Sequence, residues 1–585
     1  MKHALRSILL LVSCTPVSSQ LSTETQRVTV AAPSGPTCLE RCTVAKANCG
    51  DLIASTCAAC DGGSADDVRV CLSNHTADCL ESASCLRPPP ARSFAPGPYG
   101  TAVKDVVGPV ALETTEGRWR LEAQWSGDDS YLFLMRTLGN TALFNGSLKA
   151  LLDASPRNVQ YVFGFLNDDS GFGALRTRWV AELQQLPEAD RRHWTPRVHF
   201  VLTKMDAVDG WIGEMMTARL ANPPRYVGNG LTAFAIDRQQ RLREVGMLGR
   251  LGNGGTVSDL RLLAKEAEAF NFEFDREQRL AARPARVITV ATKQTAHDTI
   301  EADVMLPTAA ELDGYDTLEV DLAMDCPDHL NANCGAWDYL SHLYRCTPST
   351  AADGGAAFAC DQELARWITT YWREGRWVTD ISYQLPALKP GGLTHLKWWA
   401  SPQFDPRSTD YITSLSLRFS NQGRAQKPVS ATPLWKGGNL RPGYDALHPA
   451  QQVMVPADAV KVELVTLLTG HGGVAPTNCA EFCNHEHLFG INGTVKRQSF
   501  PEATTPMGCA DRVNAGVVPN QHGTWYFGRG GWCPGLDVAP YVIDVTNEVR
   551  KGQANTLTYE ARFGGQPVSQ DLGNIVLSSW LVVWK

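Results

Sequence analysis

Hydrophobic positions change rhythm twice along this chain. Between about residues 100 and 282, apolar runs at 131–135, 159–166, 197–202 and 231–236 alternate with helix-compatible stretches at 175–186 and 211–220. The run TAFAID and the following RQQRLREVGML predict a hairpin, and residues 258–280 predict a helix. Strands alternating with helices indicate an α/β layer. From Arg286 onward the rhythm shortens to β-rich runs such as RVITVAT, TIEADVML, DTLEVDLAM, SLSLRFS and TLTYEARF, separated by Gly, Pro and Asn turns. Few of these segments carry helical periodicity. Short strands at regular spacing predict antiparallel sandwiches, and their number exceeds what one sandwich holds. Two stacked sandwiches are therefore expected, 286–425 and 426–585.

Length and composition refine this outline. At 585 residues the chain outgrows a single core, so about three to four domains are expected. A hydrophobic content of 43%, a charged content of 20% and a net charge of -7 describe a soluble globular protein with no basic surplus for nucleic acid. Residues 1–19 carry Lys2 and Arg6, then a short apolar run and small residues, which is the anatomy of a secretory signal. Leu11-Val12-Ser13-Cys14 also resembles a lipobox, so lipidation at Cys14 and plain cleavage near Ser19 both stay open. Without Cys14 the 17 cysteines become an even set, suited to pairing in an oxidising compartment. A periplasmic, surface-anchored or secreted location is expected, with membrane contact only through an N-terminal lipid.

Eight cysteines crowd residues 36–86, a segment too short to stabilise itself by apolar burial. A disulfide-stapled module is expected there; Cys57-x-x-Cys60 prompts zinc as the rival reading. The prolines from Pro88 to Pro98 form a stiff linker. Residues 100–282 contain no cysteine, and their strand order resembles a thioredoxin-type fold. Lacking Cys-x-x-Cys, such a domain cannot exchange disulfides and reads as a structural or binding module.

Chemistry concentrates in the last 300 residues. Cys479-Ala-Glu-Phe-Cys483 places a glutamate inside a loop that a disulfide would hold rigid, which suits either a structural knuckle or a preorganised acid/base. Asp338 follows a second close cysteine pair, Cys326 and Cys334. His485-x-His487 on a strand would put both imidazoles on one face, half of a copper or zinc site. No third ligand stands at motif spacing, so no metal or cofactor is expected and His487 is read as a hydrogen-bonding group near the cleft. Tryptophans 337, 398, 399 and 532 could stack on sugars, although a sandwich tryptophan is more often core.

Residues 286–585 resemble the peptide-N-glycosidase F family, secreted bacterial amidases that remove N-linked glycans from asparagine. The resemblance rests on DCPD…CGAWDY (325–339), RWITTYWREGRW (366–377), TGHGG (469–473), CAEFC (479–483), RGGWCPG (529–535) and VIDVT (542–546), all in order. It implies two eight-stranded jelly-roll sandwiches with an active cleft at their interface. It also implies disulfides Cys326–Cys334, Cys479–Cys483 and Cys509–Cys533, leaving Cys346 and Cys360 to pair as an extra bridge. Asp338 and Glu481 fall on the family's catalytic carboxylates. Trp337, Arg529, Trp532, His471, Ser401 and His487 fall on or beside its substrate cleft. Arg529 would bind the substrate carbonyl or steady the carboxylates.

Three departures qualify the match. Ser401 stands where a third family glutamate is expected, Tyr339 replaces an arginine, and His471 replaces a cleft tryptophan. The implied function is a monomeric amidase acting on N-glycoproteins or glycopeptides. The alternatives are a non-catalytic glycan-binding protein on the same fold or a metal-dependent oxidase. Residues 286–585 alone are expected to fold once 1–282 are removed.

Overall fold

The computed structural model describes residues 92–221, 232–252, 255–351, 353–400, 410–472 and 478–585. The expected signal, the cysteine-rich module and Ser401 lie outside these residues. The chain divides into two compact units, the larger comprising Phe94–Gln124, Asp129–Arg276 and Arg283–Lys585. In the smaller unit the Arg92 N–H donates to the Ser126 carbonyl at 2.8 Å.

The described chain is mainly β. A short hairpin, β1 (Ala111–Thr114) with β2 (Gly117–Arg120), precedes a five-stranded mixed sheet. That sheet comprises β3 (Ser130–Arg136), β4 (Val159–Phe165), β5 (Val198–Phe200), β6 (Ala233–Ile236) and β7 (Leu242–Glu244), in the order β5-β4-β3-β6-β7. Strands β3, β4 and β5 pair in parallel, and β6 and β7 form the expected antiparallel hairpin. β3, apart from Arg136 at its end, and all of β4 are buried, as for strands covered on both faces. Helices Asp169–Gln184 and Trp211–Ala221 follow β4 and β5. A small ribbon of β8 (Gly249–Gly252) and β9 (Gly255–Ser258) leads to the helix Leu262–Ala282.

The first sandwich stacks a four-stranded sheet on a five-stranded one. The former is β10 (Arg286–Ala296), β17 (Tyr411–Ser420), β12 (Thr317–Asp325) and β15 (Gly375–Asp380). The latter is β11 (Thr299–Thr308), β16 (Gly391–Ala400), β13 (Leu340–Thr350), β14 (Ala356–Ile368) and β23 (Leu536–Asp537). Alternation is clear in β16, where Leu396, Trp398 and Ala400 turn inward and Lys397 and Trp399 outward. The second sandwich pairs β18 (Pro428–Asn439), β27 (Asn574–Trp584), β20 (Lys461–His471) and β24 (Tyr541–Asp544) with β19 (Gln451–Val455), β25 (Gln553–Phe563), β21 (His485–Ile491) and β22 (Thr494–Ser499). A two-residue strand β26 (Gln566–Pro567) adds to β25. Among the described residues each sandwich thus has eight strands of four or more residues plus one two-residue strand, where eight alone were expected. In the first, that addition arrives from beyond the second sandwich's opening strands.

The α/β layer shares a core with the residues that follow it, which bears on the expectation that 286–585 folds alone. One apolar core joins Phe270, Ala267, Val245 and Leu260 to Tyr371, Val513, Val517, Trp525 and Leu536. Within it Glu266 is buried, bonding the Arg373 guanidinium, the Asn520 amide and the Gly246 N–H, each at 2.9 Å. A charge so buried is tolerable only when its partners are all present. Asp325, His329 and Glu374 form a group of metal-ligand type, but the Lys104 ammonium sits on it, 2.7 Å from Glu374 and 3.3 Å from Asp325.

Candidate active site

Asp338 lies in the loop entering β13, and a neighbouring threonine holds that loop. Thr369 Oγ1 donates to the Trp337 carbonyl at 2.6 Å and accepts from the Tyr339 N–H at 2.8 Å. Its own N–H donates to the Tyr339 carbonyl at 2.8 Å. The peptide groups on either side of Asp338 are therefore fixed by one residue. The Cys326–Cys334 disulfide closes the preceding loop. Trp337 is 37% exposed and stands edge-on to Tyr371, with centroids 6.1 Å apart.

Glu481 arrives from the second sandwich on the short helix Cys479–Phe482, bridged by Cys479–Cys483. The Gly530 N–H donates to the Glu481 carbonyl at 2.7 Å, and the Gly470 N–H to the Gly530 carbonyl at 2.8 Å. This lacing requires close backbone approach. A Cβ on Gly470 would lie 1.8 Å from the Ala480 carbonyl oxygen, so glycine is obligatory there.

Arg529 joins the two acids. Its Nε lies 3.0 Å from Glu481 Oε1 and its Nη2 lies 3.8 Å from Asp338 Oδ2. The guanidinium is fully buried, stacked 4.4 Å from the Phe482 ring centroid and 5.3 Å from that of Trp532. Nη1 donates to the Phe527 carbonyl at 2.9 Å and Nη2 to Thr524 Oγ1 at 2.7 Å. Of the two roles the sequence left open, the geometry favours steadying the carboxylates over reaching a substrate carbonyl.

The electrostatics follow from one cation facing two mostly buried acids. Burial pushes the Asp338 carboxyl up to about 7; Glu481 adds to the rise, while Arg529 and a hydrogen bond from the Tyr371 hydroxyl oppose it. Burial also raises Glu481, against Arg529 and the Gly472 N–H, which donates to Glu481 Oε2 at 3.1 Å. Asp338 Oδ2 is buried and has no hydrogen-bond partner among the described residues. An orphaned carboxylate oxygen is costly, and such an atom is a natural docking point for a ligand N–H or O–H.

The remaining expected residues divide. Trp532, at 3% exposure, offers no face to a sugar; its Nε1 donates to the Gly470 carbonyl at 2.6 Å and its ring backs Arg529. His471 stacks on Trp532 at 4.9 Å and bonds Thr469 Oγ1 at 2.8 Å. Burial, then the charge of Arg366, keeps His471 neutral. Arg366 is buried between the sandwiches, paired with Glu363 and bonding Thr469 Oγ1 at 3.0 Å. His487 does not line the cleft: it is fully buried, bonded to His485 and to the Tyr559 hydroxyl at 2.7 Å each. His485 Nε2 reaches the Ala480 carbonyl at 2.8 Å, so all four ring nitrogens are engaged within the protein and the pair is not a half-formed metal site. Trp398 is wholly core, whereas Trp399 is half-buried on the outer face of β16. The Cys509–Cys533 and Cys346–Cys360 disulfides are both formed.

Thr369 and Tyr371 were missed as site residues from sequence. Both sit within RWITTYWREGRW, so the signal was present as a motif but not as a role. Phe482, inside CAEFC, was likewise given no role.

Residues 444–582 match the family described as "Peptide-N-glycosidase F, C terminal". The chain is 25% identical over 272 residues to peptide-N(4)-(N-acetyl-beta-D-glucosaminyl)asparagine amidase F of Elizabethkingia miricola, covering 43% of this chain and 69% of that one. Among solved structures, a peptide-N(4)-(N-acetyl-beta-D-glucosaminyl) asparagine amidase is 18% identical, with 52% of this chain and 96% of that chain covered and a TM-score of 0.40. PNGF-II is 15% identical, with 53% and 67% covered and a TM-score of 0.37. The family match and the sequence relative support a relation to peptide-N-glycosidase F.

Proposed function

We propose that this protein is an exported amidase that hydrolyses the glycosylated asparagine side-chain amide of N-glycoproteins or glycopeptides. The observation that carries the reading is the convergence of Asp338 and Glu481, from different sandwiches, on the single buried cation of Arg529. The sequence relation to peptide-N-glycosidase F supplies the substrate class. The mixed sheet before the sandwiches is read as a thioredoxin-type layer that buttresses them, given its parallel β3–β4 pair and closing hairpin.

Amide hydrolysis needs an activated water and a proton for a poor nitrogen leaving group. Asp338, pushed up to about 7, retains a proton near neutrality and is placed to donate it to the glycosylamine nitrogen. Glu481, anchored by Arg529 and the Gly472 N–H, accepts a proton from the attacking water. Water oxygen bonds the amide carbon, the C–N bond breaks, and aspartate and a glycosylamine leave. The glycosylamine then loses ammonia in water to give the free glycan. Trp337, the exposed aromatic beside Asp338, is read as the face for the first sugar.

The test is glycan release from a denatured glycoprotein by wild type, Asp338→Asn and Glu481→Gln, with and without chelator. Release by wild type that resists chelation, with both variants losing at least about a hundredfold, supports the proposal. Glycan binding without release points instead to a lectin-like protein. Wild-type rates in both variants would refute the site.

A further inference from the structure

We infer that the outer face of the first sandwich carries a second, extended subsite for the distal sugars of the same glycan, an inference that rests on the amidase reading. On that face Tyr344, Phe358, Trp399, Lys397 and Glu301 line a groove of about 660 Å³. Sugars are recognised by flat apolar faces against their C–H surfaces together with fixed polar groups for their hydroxyls. The groove offers both, since Lys397 and Glu301, paired at 2.9 Å, line it together with the rings.

The rings are held before any ligand arrives. Phe358, 47% exposed, lies flat on His395, with centroids 3.9 Å apart and an interplanar angle of 1°. His395 is in turn fixed by Asp303 at 2.8 Å. The Cys346–Cys360 disulfide, the bridge that the family resemblance did not supply, ties β13 to β14 directly beside Phe358. Tyr344 and Trp399 stack on the two sides of His342, each at 5.4 Å. A pre-ordered aromatic platform loses little entropy when a ligand lands on it.

Its position indicates what occupies it. Trp399 pairs opposite His342 on β13, and Asp338 lies four residues before His342 on the same chain segment. Four residues of chain span at most about 14 Å, so His342, and Trp399 across from it, lie within one branched glycan's length of Asp338. A glycan whose reducing end sits at Asp338 reaches the groove only with its outer residues.

Phe358→Ala and Lys397→Ala test this on two glycopeptides of identical peptide, one with a full branched N-glycan and one trimmed to its reducing-end disaccharide. For the full glycan KM rises and kcat/KM falls about tenfold, while the trimmed substrate is unaffected. Equal losses on both substrates, or no loss on the full glycan, overturn the inference. If wild type cleaves neither, the amidase reading fails on its own, and calorimetric titration with the free branched glycan decides the groove. Binding lost in Phe358→Ala then supports it, and absence of binding to wild type overturns it.

Discussion

Replacing Asp338 by asparagine should stabilise the protein while disabling it. The carboxyl is pushed from its ordinary 3.8 up to about 7, so the folded state prefers it protonated. Between these two values the native chain holds a proton that the unfolded chain has released, and stability therefore falls as pH rises. The contribution of Asp338 is highest below about 4 and is fully lost above about 7. At about 1.4 kcal/mol per pH unit, that increment is about 4 kcal/mol, a ceiling because the side chain is 15% exposed. Asparagine mimics the protonated acid in shape and keeps the neighbourhood of Arg529 intact. Asp338→Asn should accordingly match wild type at pH 4 and exceed it at pH 8, by on the order of 5 °C in the melting of the sandwich pair. Calorimetric scans of the full-length protein at pH 4, 5.5, 7 and 8 check this, read alongside glycan release. A variant that is equally or less stable at pH 8 would show that Arg529 fully compensates the buried charge, and the assignment of a resident proton to Asp338 would fall.

Tyr371→Phe removes a hydrogen bond that lowers the Asp338 carboxyl, so the bend in the pH profile of kcat/KM should move upward from about 7; an unmoved bend separates the two residues. Thr369→Val leaves the Tyr339 N–H and the Trp337 carbonyl unsatisfied, which should cost about 1–3 kcal/mol and lower kcat more than it raises KM, measured by unfolding and steady-state kinetics. Glu266→Ala strands the buried Arg373 and should destabilise by about 3–5 kcal/mol, with removal of residues 1–282 giving aggregated protein in size-exclusion chromatography. Recovery of a soluble, active fragment from that deletion would show the shared core to be dispensable.

Strand rhythm was legible because antiparallel strands with one wet face alternate residue by residue, as the outward Lys397 and Trp399 and inward Trp398 illustrate. The long helix was also visible, although it occupies Leu262–Ala282 rather than 258–280. The sequence could not reveal that Glu266 and Arg373 meet, because a buried ion pair between distant segments has no periodic trace. The same applies to the burial of Arg529: the motif marked it as important, but only packing against Phe482 and Trp532 shows that it faces the acids and not the solvent. His485 and His487 misled for a related reason. Alternation places both on one face, but it cannot tell a face turned to a cleft from one turned to Tyr559.

Strand β23 has a consequence for biosynthesis. Leu536 and Asp537 extend the first sandwich by pairing with β14, and Arg366 on that strand donates to the Val576 carbonyl near the carboxyl end. Newly made chain emerging in order must therefore leave that edge of its earlier half unpaired until Leu536 and Asp537 follow, after most of the second sandwich has already been made.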